Sequence, residues 1–310
     1  GWTMDAYINT KNAHHSSLNA FRGRIDHVFE DASSFLQSET HGREYDAIVF
    51  LTGSQWWSLP YETRTSWRSK TVLIVHYLWE ILELSSSGTV LLPLSPLFSD
   101  ITKVHALPVF TTSQLSIANA NQRIKNVILI LGMRAEQIDS EGSVFKSKDL
   151  DDLERFIESL ESSSSSLKIW LIAKDVLHLS AVLKPLLHSY PERFVWKSNC
   201  DSDCLEDVMH NRARYVHVLS SPGDSYHRFR LTASIPMALS HGVPMIISQD
   251  LATLYGIRSA SLVYEHSSSQ VIPKLLEMAE PSSHKSKSLA AFGLRTVFMR
   301  RTKQLFWGLY

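Results

Sequence analysis

Apolar and polar positions fall along this chain in blocks. In the second half, short apolar runs rich in Val and Ile recur at Val127–Leu131, Ile169–Ala173, Phe194–Trp196, Tyr215–Leu219, Val243–Ile247 and Ala260–Tyr264. Unbroken runs of that length are the pattern of strands buried on both faces. Between them helical periodicity covers Leu150–Leu160, Leu177–Ser189, Leu205–Asn211, Arg230–His241, Leu251–Tyr255 and Gln270–Ala279. Strand followed by helix, six times over, predicts a doubly wound parallel sheet.

The first half is less regular. Strand-like runs stand at Ala6–Ile8, Ile25–Phe29, Ala47–Leu51, Val72–His76 and Val90–Leu92, with helical candidates at Asp31–Gln37 and Tyr77–Leu84. This is again α/β with its own strands. The polar stretch Thr111–Lys125 reads as the boundary, which predicts a first domain over residues 1–115 and a second over 126–285. A last helix, about Ser286–Phe306 within residues 286–310, is long enough to cross back onto the first domain. The tract Ser162–Ser166 reads as a flexible helix-to-strand loop, because the sheet pattern resumes directly after it. The expected fold class is therefore α/β, two Rossmann-like doubly wound domains facing a cleft.

Length agrees with two domains, since 310 residues exceed what one hydrophobic core usually organises. The 31 basic residues balance the 31 acidic ones, so no global field favours nucleic acid or an anionic membrane, and any bound anion must be gripped locally. No apolar run has the length of a membrane span, and Gly1–Asp5 lacks the look of a secretory signal, so no transmembrane segment is expected. Only Cys200 and Cys204 are present, which is no disulfide framework and half a zinc site; the expectation is two reduced thiols at a helix start, a local disulfide being the alternative. With no Asn-x-Ser/Thr sequon in a Ser-rich chain, this leans towards a reducing compartment, the cytoplasm being favoured and the secretory-pathway lumen, behind a removed N-terminal anchor, the alternative.

In doubly wound domains ligands sit at the carboxyl ends of the strands, so the strand pattern selects the loops that matter. The loop Ser220–Arg230 follows the fourth strand of the second half, with Arg228 and Arg230 where a helix is expected to start. Cations are disfavoured in a first helical turn, and a nearby anion would account for them. Arg134 and Lys174 occupy equivalent positions after the first and second strands. Four cations on converging loops suit a diphosphate. The alternative is that Asp224 pairs with one of the arginines and the loop only caps its helix.

The stretch "SSPGDSYHRFRLTASIPMALSHGVPMIISQD" carries a resemblance. Its order of strand, polar loop with Pro and an acid, helix, Gly, Val-Pro and apolar strand is similar to the nucleotide-sugar donor signature of the GT-B glycosyltransferases. Within it, "PGD", an Arg and "GVPMII" are most similar to the exostosin-like members. The resemblance spans about Asn126–Ala279. It implies a GT-B fold and transfer of a sugar from a nucleoside-diphosphate sugar, held by the second domain, to a carbohydrate, protein or small-molecule acceptor on the first. The donor is a substrate; no cofactor, metal or nucleic acid is implied. Donor-side candidates are Arg134, Lys174, Ser221, Asp224, His227, Arg228, Arg230 and Glu265. Retaining members carry paired glutamates on the helix of this motif, where this chain has Phe229 and Met237. A non-catalytic binding or scaffold domain of the same fold is the rival reading.

A base for the acceptor hydroxyl is sought in the first domain. His76, at the end of a strong strand, and His14, in the His14-His15 pair after the first strand, are the candidates, with Asp5 behind them. Histidine titrates near neutral pH, as the role requires. The alternatives are a hydrogen-bonded core histidine and a solvated surface pair. Of Trp56 and Trp57, one is expected to face the cleft and stack on a sugar, or both to pack under the final helix.

Overall fold

The computed structural model describes residues 5–7, 27–29, 45–50, 53–75, 80, 84, 88–94, 96, 126–131, 137–138, 144–145, 150–163, 165–173, 183–198, 200–220, 232, 234–277 and 281–308. The chain divides into two compact units, one over Gly1–Ala106 and the other built from Leu107–Arg228 and Thr232–Tyr310. Both are α/β units with parallel sheets, as the apolar blocks predict.

In the first unit, β1 (Asp5–Tyr7) pairs in parallel with β2 (His27–Phe29). A second parallel sheet has the order β3 (Ile48–Phe50), β4 (Thr71–Val75), β5 (Val90–Pro93). All five residues of β4 are buried, as the central strand of a covered parallel sheet should be. Two helices not expected from the pattern lie between β3 and β4: α1 (Gly53–Trp57) and α2 (Tyr61–Trp67). The helices supply Trp56 and Trp67, and the turn between them Leu59, to a core with Ile48, Phe50, Leu73, Val75 and Leu84.

The second unit holds six parallel strands: β6 (Val127–Leu131), β9 (Lys168–Ala173), β10 (Phe194–Ser198), β11 (Ala213–His217), β12 (Met245–Ser248) and β13 (Ser261–Tyr264). A short antiparallel pair, β7 (Gln137–Ile138) with β8 (Val144–Phe145), stands apart. The sheet order is β10-β9-β6-β11-β12-β13. In order of sequence that is third, second, first, fourth, fifth, sixth, the doubly wound arrangement whose direction reverses between β6 and β11. Its helices are α3 (Leu150–Glu161), α4 (Leu183–Ser189), α5 (Ser202–Asn211), α6 (Ser234–Ser240), α7 (Gln249–Leu254), α8 (Ile272–Glu277) and α9 (Pro281–Gly308). Leu153, Phe156, Ile157 and Leu160 of α3 have the spacing of one helical face, and all are buried against Ile128, Ile130, Ile169 and Leu171.

Two expectations need correction. Cys200 and Cys204 are not free thiols: they form a disulfide with Cα atoms 5.3 Å apart, at the start of α5. The Asp201 carboxylate between them caps that helix, accepting from the Cys204 backbone N–H at 2.9 Å, and this brings the two sulfurs onto one turn. The lean towards a reducing compartment loses that support. Of the Ser162–Ser166 tract, Ser162, Ser163 and Ser165 are tied down rather than loose. Ser162 Oγ and Ser163 Oγ donate to the end carbonyls of α3 (Glu158 and Leu160), while Arg193 donates to the Ser163, Ser165 and Leu167 carbonyls and pairs with Glu161 at 2.8 Å. Separately, α6 begins at Ser234 with Thr232 before it not helical, while the start expected near Arg228 and Arg230 lies outside the described residues. Pro236 gives the reason for the start at Ser234: a residue without an N–H fits the first turn of a helix and would break an interior.

Candidate functional site

The reversal of strand direction fixes the place to look. At the carboxyl ends of β6 and β11 the connections leave in opposite directions, and the crevice between them is where such sheets take ligands. The segments leaving there run from 132 and from 221, and the segment after the neighbouring β9 runs from 174.

The described side of this edge is polar yet enclosed. After β11 the chain continues one ladder step, Val218 N–H donating to the Ile246 carbonyl at 2.8 Å, and then reaches Ser220. Ser220, Thr232 and Ser234 are all buried and bracket the segment 221–231. Ser220 Oγ has no hydrogen-bond partner among the described residues, and leaving a buried hydroxyl unsatisfied costs free energy. His217, the last residue of β11, is fully buried between Phe156 of α3, with ring centroids 4.8 Å apart, and Tyr264 of β13, 6.3 Å away.

A second buried polar group braces the same edge. Asp152, in the first turn of α3 and 2% exposed, accepts from Ser267 Oγ at 2.6 Å and from the Ser268 backbone N–H at 2.9 Å. Arg155 stands 3.8 Å from that carboxylate. An acid in a first helical turn is favoured by the helix dipole, and here it also holds the turn after β13. Sequence reasoning passed over Asp152; its signal was an acidic pair, Asp151-Asp152, at the start of a strongly periodic helix.

Glu265 immediately follows β13 and is exposed, its backbone N–H donating to Gln270 Oε1 at 3.1 Å. β13 lies two strands from β11, roughly 10 Å at the usual strand spacing. The other donor-side candidates, Arg134, Lys174, Ser221, Asp224, His227, Arg228 and Arg230, lie outside the described residues, as do the acceptor-side His14 and His76 and also Phe229. Met237 is half-buried on α6.

In the first unit, Asp5 is engaged structurally. It accepts from the Tyr45 hydroxyl at 2.7 Å and meets His27 Nδ1 at 3.0 Å, and these bonds, Tyr45 first, hold its carboxyl below the ordinary range. A depressed carboxyl is a weak proton acceptor, so Asp5 serves the β1–β2 pair better than it serves as a base. Trp56 is buried edge-on to Phe50 at 5.7 Å, whereas Trp57 is 41% exposed beneath the Arg64 guanidinium, 4.7 Å from its ring. Adjacent helical residues point about 100° apart, which separates the two tryptophans.

Among the described residues, no group of three or more His, Cys, Asp and Glu is arranged to hold a metal ion, and no helix is long and apolar enough to cross a membrane.

No protein-family model matches the chain, and no curated protein matches it. Solved structures do. A glycosyltransferase involved in avilamycin A biosynthesis, AviGT4, superposes with a TM-score of 0.58 at 10% identity, over 99% of this chain and 98% of that one. A DNA-modifying β-glucosyltransferase, solved with and without its substrate uridine diphosphoglucose, gives 0.53 at 11% identity over 99% of each chain. Sucrose-phosphate synthase from Thermosynechococcus elongatus gives 0.51 at 13% identity, over 86% of this chain and 74% of that one. At such identities the likeness is one of fold: two Rossmann-like domains of the GT-B type.

Proposed function

We propose that this chain is a glycosyltransferase that moves a sugar from a nucleoside-diphosphate sugar to an acceptor hydroxyl. The observation that carries the reading is the strand order of the second sheet, whose reversal between β6 and β11 coincides with the loops bearing Arg134 and Ser221–Arg230. Structures spanning the whole chain belong to sugar-transferring enzymes, and one of them takes uridine diphosphoglucose, which supports the same class of donor here. The order of Pro222-Gly223-Asp224, the arginines and Gly242-Val243-Pro244 supports an exostosin-like donor site as the finer assignment.

In this reading the acceptor oxygen attacks the anomeric carbon, the bond from that carbon to the diphosphate oxygen breaks, and the nucleoside diphosphate leaves. Arg134, Lys174, Arg228 and Arg230 neutralise the leaving charge, a role that needs no metal when guanidinium groups grip the phosphates. Ser221 and His227 donate to phosphate oxygens, Asp224 orients the loop arginines, and Glu265 holds ribose hydroxyls. His76 or His14 takes the proton from the acceptor.

Calorimetric titration with uridine, guanosine, adenosine and thymidine diphosphates tests the donor site. Binding of one of them is expected, weakened in Arg228→Ala by roughly ten- to a hundredfold, the worth of a hydrogen bond to a charged group. Failure of all four to bind sinks the assignment. Binding without turnover of the matching nucleotide sugar, across acceptors, would instead mark a binding domain that lost catalysis, the reading to which Phe229 and Met237 point.

A further inference from the structure

The last helix, α9, distributes charge unlike the rest of the chain. From Pro281 onward there are six Lys and Arg residues (Lys285, Lys287, Arg295, Arg300, Arg301, Lys303) and no Asp or Glu, in a protein whose formal charge is zero. Its inner face is accounted for: Ala291, Phe292 and Phe298 are buried, His284 Nε2 is bonded to the Arg214 carbonyl at 2.9 Å, and Lys287 Nζ donates to the Ser259 carbonyl at 3.1 Å. The outer face is a separate surface. Lys285, Leu289, Gly293, Val297 and Arg301 follow one another at four-residue steps, all exposed, with exposed Arg300 beside them. Leu289 is 42% and Val297 58% exposed, two of the five large apolar residues that stand out on the described surface.

Among the described residues no carboxylate pairs with any cation of α9. Neighbouring charge adds to the stripe instead, since burial first and the positive Lys274 second push the Lys287 amine below its ordinary range. From Lys285 to Arg301 the stripe runs about 24 Å at the helical rise.

We propose that the outer face of α9 is a peripheral docking surface for an anionic lipid bilayer. Acidic headgroups meet the cations at the two ends of the stripe, and the apolar side chains of Leu289 and Val297 between them enter the headgroup–acyl boundary. The alternation of charge and exposed aliphatic side chain chooses the bilayer over a nucleic acid, because phosphodiester backbones reward a continuous cationic track and gain nothing from Leu or Val at its centre. The inference stands on α9 alone and does not depend on the donor-site reading.

Sedimentation of the full chain with vesicles tests it. Association is expected with vesicles of phosphatidylcholine containing about a third phosphatidylglycerol, not with phosphatidylcholine alone, and should be lost at roughly half-molar salt. The double variant R300E/R301E, at exposed positions that leave folding intact, should weaken association at least about tenfold, and L289S/V297S severalfold at unchanged charge. A thermal-unfolding midpoint within error of the parent confirms that each variant is folded. Absence of association with the anionic vesicles, equal association with neutral ones, an undiminished R300E/R301E variant, or tighter binding to a DNA or RNA duplex each overturns the proposal.

Discussion

The two ends of the six-stranded sheet are built differently. At the amino end the connections are short and closed by specific contacts. Gly242, at φ +63°, ends α6, its N–H and that of Val243 donating to the Leu239 and Ala238 carbonyls, and the Phe292 ring of α9 packs against its bare Cα. His284, Lys287 and Arg193 each hold a backbone carbonyl at the same end. At the carboxyl end the buried polar groups include Ser220, Thr232, Ser234 and His217 by the reversal of strand direction, and Asp152 with Ser268 at the turn after β13. One end spends its polar groups on closing the fold. The other encloses polar groups around the reversal of strand direction, which stability alone does not call for.

Gly242→Ala strikes the amino end hardest. A Cβ there comes within 2.6 Å of Phe292 Cζ and must also adopt a left-handed conformation. The backbone cost is about 1–2 kcal/mol and the overpacking a similar amount, so a loss of about 3 kcal/mol is expected in urea unfolding followed by circular dichroism. Adding Phe292→Ala removes the collision but opens a cavity, and should recover only part of the loss if the glycine's conformation contributes. Nucleotide affinity should stay within twofold of the parent; a larger change would end the division of labour between the two ends.

Asp152→Ala probes the carboxyl end. It leaves the Ser268 N–H, previously bonded to the carboxylate at 2.9 Å, without its partner, at a cost of about 2 kcal/mol. Unlike Gly242→Ala it should also weaken nucleotide binding, because the turn carrying Glu265 is held by that carboxylate. Hydrogen exchange confined to residues 265–271 is the expected signature, and an unchanged exchange rate there would remove Asp152 from the site.

Much of this comparison is legible in the sequence, and the reasons it is not wholly so are physical. The second-half strands are continuous runs of Val, Ile and Leu because both faces of a parallel strand are covered, and that signal survived in all six. The first-half strands were legible for the same reason. Helices α1 and α2 were not, because α1 has only five residues and α2 seven, too short for helical period to emerge. Pro60 before α2 and Glu62 in its first turn were the usable signal. At the site, the sheet edge followed from strand order, whereas Asp152 and His217 are brought to it by packing between elements far apart in sequence.

The disulfide gives the smallest effect and the sharpest contrast with Gly242. Cys200 follows β10 and Cys204 lies in the first turn of α5, so the bond sits at the carboxyl end, on the edge strand next to β9. A cross-link acts mainly by restricting the unfolded chain, and its effect grows with the loop it closes. The separation here is four residues, which limits the gain to about 2 kcal/mol. The Asp201 cap persists without it, since the Cys204 N–H still reaches the carboxylate. C200S/C204S should therefore lower stability by about 1–2 kcal/mol and leave α5 formed. Its value lies in position: β10 neighbours the strand from which Lys174 follows, so nucleotide affinity measured in the oxidised and reduced protein reports whether this edge is coupled to the donor loops. Equal affinities in both states, with the expected small loss of stability, would confine the functional edge to the strands flanking the reversal point. A drop on reduction would extend it across the sheet to β10.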